Sequence, residues 1–137
     1  MAKFQVRPTL GAVAETFRMG TKVAPIVDAD RGKAVKLAGE SRVELAGAND
    51  QIFGFVSSIE SGTQDGFKIG GVMTEGYVEA DTASLTVGTL VIVDTNPAAG
   101  TAGLTKVKAW TAPAEYDPDV ALKYMWEVVH PGVIRRV

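Results

Sequence analysis

Apolar and polar residues alternate along most of the chain, which is the pattern of β-strands. In the stretch 66–73, the side chains of Phe67, Ile69 and Met73 fall on one face of such a strand and Lys68 on the other. In the stretch 89–94 both faces are apolar, which is typical of a strand buried on both sides. The same kind of pattern predicts strands at residues 22–27, 34–38, 43–45, 52–56, 76–80, 104–110, 123–129 and 132–137.

Glycine, aspartate and asparagine separate the predicted strands, and Asp65-Gly66 is a typical tight-turn pair between two of them. Short strands joined by regular turns favour a small barrel or sandwich. We therefore predict a mainly β, single-domain β-barrel or sandwich with little helix. Phe53, Phe55 and Phe67 are expected in its core.

The N-terminal segment, residues 1–20, precedes the region where strands are predicted. Apolar residues within 9–17 keep a helical spacing that fits about two turns of helix, and the same stretch also fits an extended arm. Because the segment is more apolar than a free tail, we expect it to dock on a partner or to cover an edge of its own barrel. The predicted organisation is an N-terminal arm, residues 1–20, and a β-barrel domain, residues 21–137.

Length, charge and residue types narrow the classes of function. The chain has 137 residues, no cysteine and a formal net charge of −2, which suits one domain without disulfides or thiolate metal sites. Without a basic excess, direct nucleic-acid binding is not expected. No signal peptide or membrane span is visible in the sequence, so we expect a soluble protein or a component of an assembly built in a cytoplasm.

Residues that could carry catalysis are few. The single histidine, His130, precedes Pro131-Gly132, which favours a strand end before a turn over a catalytic role. Gly32-Lys33 lacks the other residues of a phosphate-binding loop. The acidic pairs and clusters flank turns, where exposure is expected, and they are Asp28/Asp30, Glu75/Glu79/Asp81 and Asp117/Asp119. We predict no catalytic residue, no cofactor, no metal site and therefore no enzyme.

An aromatic surface for ligands is the main alternative to a purely structural domain. Trp110 follows Lys106 and Lys108, and aromatic rings interleaved with cations can stack single-stranded nucleic acid. Packing of Trp110 under the proline-containing loop 111–119 is the favoured interpretation. A carbohydrate-binding or single-stranded nucleic-acid-binding module would instead expose Trp110 or Tyr116 in a groove.

The stretch LAGANDQIFGFV, residues 45–56, predicts a corner followed by a strand. Gly47 and Asn49 tolerate left-handed backbone, and the Asp50 carboxylate can bond to nearby backbone. Gly54, inside the strand, indicates the close approach of another backbone or a bulky side chain. Gly70-Gly71 likewise indicates a bulge or a close backbone approach.

Residues 32–94 resemble the capsid decoration, or cement, proteins of tailed bacteriophages. The resemblance rests on a strand, a corner, a Phe-Gly strand, a Gly-Val strand and a final valine-rich strand ending in aspartate. In this chain these motifs are GKAVKL (32–37), AGAND (46–50), FG (53–54), GV (71–72) and GTLVIVD (88–94).

The resemblance implies a β-barrel protein on the outer surface of an icosahedral capsid, at junctions between capsomers. It implies that the major capsid protein is the partner, that the protein forms a homotrimer or less often a homodimer, and that it is located in the virion. Another phage component, from a fibre or baseplate, is the alternative with the same composition. As an extended docking element, the N-terminal arm would use Phe4, Val6, Arg7, Pro8 and Leu10.

Overall fold

The protein is described by a computed structural model that covers residues 13–39, 41–60, 66–111 and 125–137. Within these ranges it contains ten strands, one 3₁₀ turn and no α-helix. The strands are β1 Val13–Met19, β2 Ala34–Gly39, β3 Arg42–Leu45, β4 Gly54–Glu60, β5 Ile69–Glu75, β6 Tyr77–Glu79, β7 Leu90–Thr95, β8 Lys106–Ala109, β9 Trp126–His130 and β10 Val133–Arg136. The 3₁₀ turn is Asp28–Asp30.

Five strands pair into a closed ring in the order β1–β3–β2–β4–β5, with β5 returning to β1. The pairs are antiparallel except β1 with β3, which run parallel over two residues. Side chains from alternate positions fill the interior, because a strand directs every second side chain to the same face. The fully buried members include Met19, Val35, Val43 and Val72.

The other five strands form a sheet in the order β6–β10–β9–β7–β8. An isolated parallel bridge joins Asp81, just after β6, to Lys106 at the start of β8. Trp126 is the largest buried side chain of this sheet's core. Its indole N–H donates to the carbonyl of Ile52 at 3.1 Å, and its ring packs edge-on against Phe55. The Trp126 side chain therefore connects the second sheet to the start of the ring strand β4.

The predicted fold class, mainly β with little helix, is confirmed. Every predicted strand except one overlaps a strand of the structure, although β4 extends from Gly54 to Glu60, well beyond the predicted 52–56. The prediction for 22–27 is wrong. There the chain makes a tight turn in which Thr21 N–H donates to Ala24 carbonyl at 3.2 Å.

The described part of the predicted arm contains strand β1, which pairs with β5 from Val13 to Arg18 and with β3 at Arg18 and Met19. The helical alternative for residues 9–17 is therefore wrong over residues 13–17, because the backbone there is extended. Residues 13–19 complete the ring of their own domain.

Two glycines allow strands to approach closely, as the sequence predicts. A Cβ on Gly54 would lie 2.6 Å from a Val72 methyl group. A Cβ on Gly70 would lie 2.1 Å from the carbonyl oxygen of Ser58, next to an irregularity in the β4–β5 register.

The prediction that Phe67 lies in the core is wrong. Its side chain is half-buried at the surface, with the Arg18 guanidinium 4.7 Å from the centre of its ring.

Candidate functional site

The corner at residues 46–50 joins the ring to the second sheet. Asn49 N–H donates to Val93 carbonyl at 2.8 Å, and Val93 N–H donates to Asp50 carbonyl at 3.1 Å. Asn49 has the predicted left-handed backbone, with φ +70°, whereas Gly47 does not. The carboxylate of Asp50 accepts the Gly47 N–H at 2.7 Å, so Gly47 contributes a backbone donor to the corner.

The side chain of Asn96 lies beneath this corner and holds three segments together. Its amide nitrogen donates to the carbonyls of Ala34, at 2.9 Å, and Ala46, at 2.8 Å. Its carbonyl oxygen accepts the hydroxyl of Thr105, which in turn accepts the Ala34 N–H at 2.9 Å. The amide nitrogen of Asn96 thus donates two hydrogen bonds and the amide oxygen accepts one, and together they fix the orientation of the side chain.

A buried ion pair lies at the start of β2. The Lys33 ammonium is 2.7 Å from the Asp30 carboxylate, and both side chains are completely buried. Lys33 also donates to the carbonyls of Pro97 and Ala98, at 3.3 and 2.7 Å. The prediction that Asp30 would be exposed is wrong, because the 3₁₀ turn directs it to a cation that shields its charge.

The Asp30 carboxylate accepts hydrogen bonds from three donors, two beside its own turn and one in the loop after β7. Burial alone would raise its pKa, but the hydrogen bonds from Lys33 and from the N–H groups of Val27 and Gly100 outweigh burial and lower it. The Val27 and Gly100 bonds are 2.8 and 2.9 Å long. Asp30 and Lys33 together fix the loop around Ala98–Gly100 against the ring.

An apolar cavity of about 310 Å³ opens beside this loop. Its walls come from the turn after β1, from β3 and from Ala99 in the loop after β7. The lining residues are Gly20, Thr21, Ala24, Pro25, Ile26, Glu44, Leu45 and Ala99. The cavity lacks a cluster of polar groups that would orient a small polar ligand.

The residues considered for catalysis are not brought together. His130 is exposed, and its Nδ1 lies 3.0 Å from the carbonyl oxygen of its neighbour Pro131. Glu75, Glu79 and Asp81 are exposed, as the sequence predicts. Asp117 and Asp119 lie outside the described residues. Within the described ranges, no group of three His, Cys, Asp or Glu side chains could hold a metal ion.

Trp110 is half-buried, and its backbone N–H donates to the Leu90 carbonyl at 2.8 Å. The cations near it have partners on the protein: Lys108 donates to the Asn49 side chain, and Lys106 lies 3.8 Å from the Asp94 carboxylate. This arrangement does not resemble a cationic stacking platform. Tyr116 and the greater part of loop 111–119 are not among the residues described.

The predicted docking residues Phe4, Val6, Arg7, Pro8 and Leu10 also lie outside the described residues. In the described part of the chain, no helix is long and apolar enough to cross a membrane. Comparisons of the chain with protein-family models, curated proteins and solved structures find no match.

Proposed function

We propose that this protein is a structural virion protein that binds the outer surface of an icosahedral phage capsid at capsomer junctions. Bound there, it stabilises the expanded shell against the pressure of packaged DNA. Its partners are the major capsid protein and further copies of itself, as a homotrimer or less often a homodimer. It works without catalysis, in the virion, after assembly in the host cytoplasm.

The observation that carries the proposal is how the resembling motifs are arranged in space. The AGAND corner and the GTLVIVD strand are far apart in sequence, yet Asn49 and Asp50 exchange backbone hydrogen bonds with Val93. The GKAVKL strand joins the same unit through Ala34, whose carbonyl and N–H bind Asn96 and Thr105. The strand at 32–37, the corner at 46–50 and the strand at 88–94 therefore belong to one structural unit, and this supports the proposal.

The proposed mechanism is thermodynamic. A protein that binds only the expanded shell stabilises that state by mass action, in proportion to the logarithm of its concentration over its Kd. Linked copies with several contacts add avidity, which strengthens attachment without new chemistry. A rigid β-domain suits this work because little conformational entropy is lost when it binds.

Co-sedimentation tests the proposal. The purified protein is mixed with undecorated expanded capsids of the parent phage and, as a control, with their unexpanded precursors. We expect saturable binding to the expanded shells, weak or no binding to the precursors, and a higher temperature of shell disruption once the protein is bound. Failure to sediment with expanded shells would refute the proposed function.

A further inference from the structure

One side of strand β1 is only partly paired. Towards β5 the strand is paired from Val13 to Arg18, whereas towards β3 only Arg18 and Met19 have partners. β3 begins at Arg42, beside Arg18, so residues 13–17 extend past the end of that strand. Within the part of the chain that the structure describes, this stretch is therefore a free edge of the sheet.

The backbone groups of β1 point alternately to its two neighbours. Arg18 N–H donates towards β3, to the Ser41 carbonyl at 2.7 Å, and Met19 N–H donates towards β5 at 2.8 Å. Because this direction alternates along a strand, the N–H and C=O groups of Ala14 and Thr16 point to the β3 side. No described residue forms a backbone hydrogen bond with them there.

This edge carries little of the protection that edge strands usually have. Natural edges are blunted by lysine, by proline or by a bulge that turns the strand away. Residues 13–17 include neither lysine nor proline, and Glu15 is the single charged residue among them. The register irregularity near Val13 places the extra residue, Thr74, in β5, so the outer edge of β1 is not interrupted.

The sheet next to this edge offers room for a partner and is already in place. On one face Thr16 lies opposite Gly71, and Gly71 lies opposite Ser58 of β4, which makes a row of small residues. On the other face the Phe17 ring packs edge-on against Phe53, with 5.3 Å between the ring centres. A partner strand would therefore join a preformed template, which limits the entropy lost on binding.

We propose that the open edge of β1, at Ala14 and Thr16, accepts an extended segment of a capsid subunit as an added β-strand. Each of the two residues offers one N–H and one C=O group, about 6.7 Å from those of the other, which is the two-residue repeat of a strand. Only the backbone of an extended polypeptide matches such a row of donors and acceptors. The edge closely follows residues 4–10, where docking residues are predicted, so both contacts would lie along one stretch of chain. This contact rests on the capsid role proposed above.

Amide hydrogen exchange, read at single residues by fragmentation mass spectrometry, tests the contact on the unmodified protein. We expect the Ala14 and Thr16 amides to exchange rapidly in dilute protein and roughly tenfold or more slowly in protein sedimented with expanded capsids. The Glu15 and Phe17 amides point to β5 and are internal controls, since they should be protected in both states. Docking through side chains alone would not produce this alternation.

Each other occupant of the edge gives a different result. Protection of the two amides in dilute protein would show that the chain covers its own edge, and protection in concentrated protein without capsids would show that a second copy does. Either result overturns the contact with the shell. Rapid exchange in capsid-bound protein also overturns it but leaves the capsid role intact, whereas protein that does not sediment with expanded capsids refutes the capsid role and the contact together.

A proline variant gives the second readout. Thr16→Pro removes one N–H that the described fold does not use, and proline is tolerated at such edge positions. We expect the Tm to change little and the affinity for expanded capsids to fall about tenfold or more, because the partner's carbonyl loses its donor. Thr16→Val is the matched control, since it keeps the N–H and should bind like the unmodified protein. Equal affinities of the two variants would contradict strand addition, and amide exchange decides independently if the proline variant is destabilised.

Discussion

The ammonium nitrogen of Lys33 lies 2.7 Å from the carbonyl oxygen of Ala98, a residue 65 positions further along the chain. This bond links the loop before β2 to the loop after β7, and Asp30 neutralises the buried cation. Burying two charges costs several kcal/mol per ion unless the geometry satisfies both. Here the cost is offset by four hydrogen bonds between the pair and backbone groups: Lys33 donates two of them and Asp30 accepts the other two. These bonds compensate for the desolvation of the two charges and hold the loop before β2 and the loop after β7 in one arrangement.

Replacing Lys33 with methionine keeps much of the volume but leaves the Asp30 carboxylate buried without a cation. We expect the free energy of unfolding to fall by about 3–5 kcal/mol, the usual cost of breaking a buried pair. Urea unfolding measures the change. Lys36→Met is the matched control, because Lys36, in β2, forms a partly exposed pair with Asp50 of the corner and its loss should cost about 1 kcal/mol or less. Equal losses in the two variants would contradict the special role of Lys33.

The lowered pKa of Asp30 predicts a loss of stability in acid. In the unfolded chain this carboxyl is protonated as the pH falls through about 3.9, whereas in the folded protein it is protonated at a lower pH. The stability contributed by Asp30 is therefore fully present above that value and is lost as the pH falls through it towards the folded pKa. A carbon-13 NMR titration of the Asp30 carboxyl, with urea unfolding at each pH, measures both quantities. An Asp30 inflection at or above the usual aspartate value would refute this prediction.

Alanine at Gly70 should disrupt the β4–β5 pair. Its Cβ would lie 2.1 Å from the carbonyl oxygen of Ser58, and backbone in a paired strand cannot move aside without losing hydrogen bonds. We expect a destabilisation of about 1–3 kcal/mol, as for overpacked cores, measured as a lower Tm and urea midpoint. Gly39→Ala serves as the control, because its nearest neighbour is the flexible side chain of Arg42 at 3.6 Å. A Gly70→Ala protein as stable as Gly39→Ala would show that the strands can separate freely.

Much of the fold can be predicted from the sequence because alternating burial leaves a direct trace in it. Strand β9 shows this clearly: Trp126 and Val128, two positions apart, are both buried. The strand predicted at 22–27 is absent because the apolar pattern carries no trace of the turn that Gly20, with its positive φ, and the Thr21 hydroxyl stabilise.

The Lys33–Asp30 pair could not be predicted in the same way. Lysine and aspartate are rarely buried, and the carbonyls that satisfy Lys33 come from residues 64 and 65 positions away. Only the spacing of Asp30 and Lys33, three residues apart across a turn, hinted at their contact. The cavity is equally hidden in the sequence, since its walls come from three separate segments.

The N-terminal segment offers a test of how the protein would attach to a shell. Strand β1, Val13–Met19, stays intact when residues 2–10 are deleted, and we expect the Tm to be unchanged. If Phe4, Val6 and Leu10 fill sites on the capsid, burial of each is worth roughly 1.5–3 kcal/mol. The deletion should then weaken binding to expanded capsids by tenfold or more.

A triple variant, Phe4→Ser, Val6→Ser and Leu10→Ser, separates side-chain contacts from backbone strand addition. Serine keeps the length and the hydrogen-bonding groups of the main chain, so a segment that binds only by pairing with a sheet edge would lose less affinity in the triple variant than in the deletion. Val87→Ser, at an exposed apolar position between β6 and β7, controls for the loss of surface hydrophobicity. Unchanged capsid binding by the deleted protein, in a preparation where the full-length chain binds, would exclude the segment as the docking element and direct attention to the surface of the β-domain itself.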